Sequence, residues 1–198
     1  MRAVSVLLLI MLPFVAAKVV AKGVYLTAPA FLEQSFGTTS PELHAHWLTD
    51  EDKQRAKEIF NRDYAGLRVR YWRSGDRTAW IFDEIGKTQP ITIGVLIAEH
   101  QIKNISILEF RESRGGEVRH PFFTSQFVGL SLRRQDSERD NKVEVDSTAE
   151  LDGTIDGITG ATLSVRAVTR VAKFALYLST QVERQGQAVL HDSTTSSR

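Results

Sequence analysis

The chain has 198 residues, 42% of them hydrophobic, with 25 lysines and arginines against 24 aspartates and glutamates for a net charge of +1. That length suits one domain plus a terminal extension, and a charge so balanced excludes an overall field able to recruit nucleic acid or an acidic polymer. Cysteine is absent, which excludes thiol catalysis, thiolate metal sites, iron–sulfur clusters and thioether attachment of haem.

Arg2 precedes an apolar run from Ala3 to Ala17 that contains Pro13 and ends in Val15, Ala16 and Ala17. This is the layout of a secretory signal, and the run falls short of the roughly 20 residues of a spanning helix. Cleavage after Ala17 is expected. The alternative is a retained anchor over residues 3–21, with Lys18 snorkelling to the interface. Either reading puts the remainder in the periplasm or another extracytoplasmic space.

"VYLTAPAFLEQSF", Val24 to Phe36, predicts a short helix with Thr27 as N-cap and Pro29 in its first turn. Asp50 to Asn61 predicts a second, capped by Thr49 and acidic at its start, where the helix dipole favours carboxylates. Between them, His44 and His46 have a spacing that could chelate a metal from a strand. The segment reads as a loop without a second ligand cluster, so no metal site is assigned.

Leu67–Arg73 and Thr78–Ile85 read as a hairpin, and Ile91–Glu99 and Ile102–Glu112 as two further strands. The aromatic and basic residues of "YWRSGDRTAW" fit cross-strand pairs better than a nucleic-acid surface. "PFFTSQFVG" predicts a short helix ended by Gly129, "RRQDSERDNK" a solvated loop, and "KVEVDSTAEL" one more edge strand. The last helix is the best-marked element. Val168, Val171, Ala175, Leu178 and Val182 recur at spacings of three and four, flanked by Val165, Ala172 and Leu176, with Arg166, Arg170, Lys173, Tyr177 and Arg184 on the other side. The expected fold is α+β: an antiparallel meander packed by a long C-terminal helix and short flanking helices. Its expected divisions are a signal or anchor (1–17), a helical and hairpin region (18–87), a second unit (88–185) and a flexible tail (186–198).

"DGITGATLSV", Asp156 to Val165, opens that last helix. A helix start presents amides without internal partners and a partial positive charge, so it suits a phosphate. Gly160 and Ala161 lack bulk, Thr159, Thr162 and Ser164 add hydroxyls, and the Asp156 carboxylate can hold the loop through free amides. On spacing alone, a plain turn with a threonine cap is the better explanation of the stretch.

Asp156, Gly157, Thr159, Gly160, Ala161 and Thr162 match the D-(G/A)-x-(S/T)-G-A-T motif, and in this the chain resembles the FMN-binding domain family. That family includes subunits of the sodium-pumping NADH:quinone oxidoreductase and of Rnf complexes. The resemblance runs from about Gln89 to Leu178, taking in the strand pair with Glu112 and Gly115 and the short helix with Phe127 and Gly129. It implies FMN as cofactor, carried on Thr162 through a phosphoester made by a flavin transferase outside the cytoplasm. The amides after Thr159, those of Gly160, Ala161, Leu163 and Ser164 included, are the implied phosphate donors. Glu112, Gly115 and Phe127 are implied near the flavin ring.

The resulting reading is an exported electron-transfer flavoprotein that stands alone, whose redox donor and acceptor are membrane-associated. Residues 18–87, with Trp72 and Trp80, are the expected partner-recognising part. Two alternatives are a flavin-dependent reductase of a small acceptor and a flavin-free binding module that keeps the fold.

Overall fold

The computed structural model describes residues 23–135, 144–145 and 150–195; the segment expected as a signal and most of the charged loop after Gln135 lie outside them. Thr27 accepts a hydrogen bond from the Ala30 N–H at 3.3 Å and so starts helix α1, Ala28–Phe36. Thr49 starts helix α2, Asp50–Phe60, through a capping box: its hydroxyl accepts from the Asp52 N–H, and the Asp52 carboxylate accepts from the Thr49 N–H. Both helices begin where their caps predict.

Five strands form one antiparallel sheet in sequence order: β1 (Glu42–Trp47), β2 (Arg68–Ser74), β3 (Arg77–Ile85), β4 (Pro90–Ala98) and β5 (Gln101–Phe110). The meander therefore has one strand more than the sequence reading, because the segment of His44 and His46 is strand β1 rather than loop. Glu99 and His100 make the β4–β5 turn with φ of 53° and 60°, the left-handed pair that a tight hairpin demands.

A helical turn, α3 (Pro121–Thr124), follows β5 and continues as a 3-10 turn over Ser125–Phe127. Strands β6 (Arg134–Gln135) and β7 (Glu144–Val145) pair with each other. The expected extra edge strand is thus half of a separate two-stranded ribbon, not a part of the main sheet. Helix α4, Thr162–Thr195, is the last described element. It includes most of the expected tail, since no proline interrupts the segment after Gly186. No described helix is long and apolar enough to cross a membrane.

Three layers result. On one face of the sheet α1 packs Phe31 and Phe36 against Ala79, Leu96 and Leu108. On the other, α2 and α4 enclose the main core, where Trp80, Ile93, Val95, Phe174 and Leu178 are fully buried. Each such side chain contributes about 1.5–3 kcal/mol by leaving water. Residues before β4 belong to the same core as those after it: Phe60 packs edge-on against Phe174 at 5.1 Å, and the Phe82 ring lies 5.4 Å from that of Phe174. Trp80 is core, Trp72 is half-buried, and the tryptophan in solvent is Trp47, 63% exposed.

Tyr177 departs from the expected polar face of α4: it is 3% exposed. Its hydroxyl donates to Asp52 Oδ1 at 2.9 Å, and His46 Nε2 lies 2.9 Å from Asp52 Oδ2. Burial acts to raise the Asp52 pKa, but hydrogen bonds from the Thr49 N–H, His46, Tyr177 and the Thr49 hydroxyl outweigh it and hold the carboxyl below its ordinary value. Against an ionised acceptor, the Nε2 of His46 carries the proton. Burial and then the Asp52 contact push the Tyr177 hydroxyl well above the tyrosine range, so it stays a donor. This buried triad joins β1, α2 and α4.

Candidate functional site

The helix start is built by a β-turn. The Ala161 N–H donates to the Ile158 carbonyl at 2.9 Å, with Gly160 at φ 81°. A positive φ at the third turn position is the type II requirement that glycine meets without strain. The Val165 N–H then donates to the Ala161 carbonyl at 2.9 Å, which makes Ala161 the N-cap and Thr162 the first helical residue. Alanine has no side-chain oxygen to cap with. The amides of Thr162, Leu163 and Ser164 are therefore left for solvent or a ligand, at the positive end of the longest helix described. Thr162, and not a cap, is what the motif ends on; its side chain is exposed.

A cleft of about 640 Å³ opens beside this start, lined by Lys87, Glu112, Ser113, Arg114 and the run Gly160–Ser164. That volume lies within the range of about 300–1,000 Å³ typical of small-molecule sites. The turn between β3 and β4 supplies Lys87, and the loop after β5 supplies Glu112 to Arg114. Lys87 and Arg114 are exposed cations, and they add to the field of the helix end. Neither was legible as a site residue, because only the sheet's turns bring them beside Thr162.

Glu112 is a brace. Its carboxylate accepts from the N–H groups of Lys87, Thr88 and Gln89 at 2.6, 2.6 and 2.9 Å, and from the Thr88 hydroxyl at 3.2 Å. Partial burial works to raise its pKa, yet these hydrogen bonds from Gln89, Thr88 and Lys87 hold it below the usual carboxylate value. It lines the cleft with its acceptor capacity already spent on the β3–β4 turn. Glu112→Gln is expected to speed hydrogen exchange at the Lys87, Thr88 and Gln89 amides while leaving β5 protected; unchanged exchange there contradicts the bracing role.

Gly115, at φ 86°, lets the loop meet the helix. A Cβ there would stand 2.5 Å from Ser164 Oγ. Gly115→Ala is expected to cost about 1–3 kcal/mol, from the strained φ and the displaced helix start; an unchanged urea midpoint contradicts this packing. Ser164 itself is 4% exposed, so its hydroxyl faces the Gly115 side rather than open solvent.

The other expected site residues divide. Ala161 and Leu163 line the cleft with Gly160 and Thr162. Thr159 and Gly157 are exposed beside them, and a Cβ on Gly157 would meet nothing within 4 Å. Asp156 holds the loop through its backbone: its N–H donates to Gln126 Oε1 at 2.7 Å, while its carboxylate is exposed and bonds no described residue. Phe127 is fully buried, edge-on to Phe123 at 5.4 Å, and does not line the cleft.

His46 is occupied within the buried triad, and His44 stacks on Tyr71 at 5.3 Å. Among the described residues, no group of at least three His, Cys, Asp or Glu side chains is placed to hold a metal ion.

Residues 86–177 match the family model described as FMN-binding domain. The match begins at the turn that Glu112 braces and ends at Tyr177, so it includes every residue lining the cleft. No curated protein matches the chain.

Proposed function

Since residues 86–177 are a domain of the FMN-binding domain family and FMN is its cofactor, we propose that the chain carries FMN covalently on Thr162 and works as an exported electron-transfer protein. The observation that carries this reading is the place of the Thr162 hydroxyl: exposed, on the first residue of α4, among uncapped amides and the cations Lys87 and Arg114.

The donor set fits a phosphate. Orphan N–H groups at a helix start bind oxyanions through directed hydrogen bonds and the helix field. The open space at Gly157 and the cleft beyond it leave room for a large organic group. When bound, FMN supplies the exchange of one or two electrons. The chain's own part is to tether, orient and set the electrostatics. In the tethered form the Thr162 oxygen would be bonded to phosphorus: a separate flavin transferase would break the pyrophosphate bond of a flavin dinucleotide, with the nucleoside monophosphate as leaving group and the hydroxyl proton passing to solvent. A covalent link prevents loss of the cofactor by dilution outside the cytoplasm, which agrees with the signal-like run at residues 3–17. No side chain is assigned as acid, base or nucleophile in turnover. The redox donor and acceptor are expected to be membrane-associated.

Two measurements test the carrier role and the export. Flavinylated protein is expected to take up electrons from energised host membranes once per flavin, without sustained turnover of soluble acceptors. Continuous reduction of a small acceptor with no protein partner supports the reductase alternative instead. The exported chain is expected to begin at Lys18; a chain beginning at Met1 means that residues 3–21 are a retained anchor.

A further inference from the structure

Beyond Thr162, the same face of α4 carries Arg166, Thr169 and Lys173, at helical spacings of four and three, with Arg170 beside them. With Ile59 and Val165 they line a second cleft, of about 320 Å³. It shares no lining residue with the cleft at the helix start.

Two acids, Glu58 and Glu150, also line it and are already paired: Lys173 Nζ lies 2.8 Å from Glu150, and Arg55 Nη1 lies 2.8 Å from Glu58. Arg170 pairs with the buried Glu84 at 2.8 Å, but Arg62 holds the same carboxylate at 2.7 Å, so that neighbourhood keeps a surplus cation. The Nε–H of Arg170 is buried without a hydrogen-bond partner. Arg166 is exposed and pairs with no described carboxylate. Ile59 and Val165, 9% and 8% exposed, give the cleft an apolar floor.

We propose that this cleft binds a small organic carboxylate. The planar fork of an arginine matches a carboxylate through two parallel hydrogen bonds, and Arg166 is the side chain free to make them. The apolar floor selects a short carbon skeleton over inorganic phosphate. Arg166 lies one helical turn, about 6 Å along the axis, from Thr162. The ligand is thus seated next to the flavin tether, as an effector of that centre would be.

Calorimetric titration with succinate at constant ionic strength tests this, with succinamide and inorganic phosphate as comparison probes. It is run on chain produced with and without a flavin transferase, so the result does not depend on FMN attachment. Saturable succinate binding is expected, at least tenfold weaker for both comparison probes. Arg166→Gln is expected to weaken it at least tenfold, and Arg184→Gln, at an exposed cation farther along α4, to leave it unchanged. Circular dichroism verifies that both variants fold. Absence of saturation, equal affinity for phosphate, or equal loss in the two variants overturns the proposal.

Discussion

Thr162→Ala is expected to abolish flavinylation altogether. Co-produced with a flavin transferase and exported, the wild-type chain should gain the mass of one phosphoester-linked FMN that survives denaturation, and the variant should gain none. The effect is all-or-none because alanine has no oxygen for phosphorus to bond. The fold should be unaffected: Thr162 is exposed and is not the cap, since Ala161 already holds that position. Thr162→Ser keeps the oxygen and is expected to retain some labelling. A Thr162→Ala chain that still carries flavin after denaturation means that the bond lies elsewhere.

Asp52→Ala should give the largest loss of stability, about 3–5 kcal/mol, because it leaves two buried donors without an acceptor at about 1–3 kcal/mol each and weakens the α2 cap. It strips His46 and Tyr177 of their shared acceptor and removes half of the α2 capping box. Against a typical total of about 5–15 kcal/mol, that is enough to shift the thermal midpoint by many degrees. A pH signature accompanies it. The folded pKa of Asp52 lies below its ordinary value of 3.8. Its contribution is therefore complete above the unfolded pKa and is lost as pH falls through the folded one. Asp52→Asn should flatten that acid limb of the stability curve. A wild-type acid limb that the substitution leaves unchanged contradicts an ionised Asp52 at the centre of the triad.

The same triad marks the limit of what could be read before the fold was known. Thr27 and Thr49 were legible as caps because the interaction is local: the acceptor and the amide it binds are three residues apart. Strand β1 was not, since its buried position is held by His46, a polar residue whose partner Asp52 sits in the next helix. The sequence pattern puts Tyr177 on the polar face of α4 for the same reason; its partner lies 125 positions away. A polar group buried by pairing breaks the hydrophobic period, and periodicity cannot tell it from an exposed one.

The candidate site shows the same division. Its contiguous half, Gly157 to Ser164, is a short motif whose glycines and hydroxyls carry their own physical reason. Its other half is assembled by tertiary structure: Lys87 and Arg114 arrive on loops from two strand ends, and Gly115 is explained by the Ser164 hydroxyl 2.5 Å from where its Cβ would stand. Phe127, assigned through resemblance, has a packing partner in Phe123 that accounts for it without a ligand.

The proposed function turns on one bond, and peptide mapping reads it directly. Trypsin should release Val143 to Arg166 as one peptide from denatured, flavinylated protein, and fragmentation should place a phosphoester-linked FMN on Thr162 rather than on Ser147, Thr148, Thr154, Thr159 or Ser164, which share that peptide. Flavin that leaves with the denaturant, or that maps to any other residue, contradicts it.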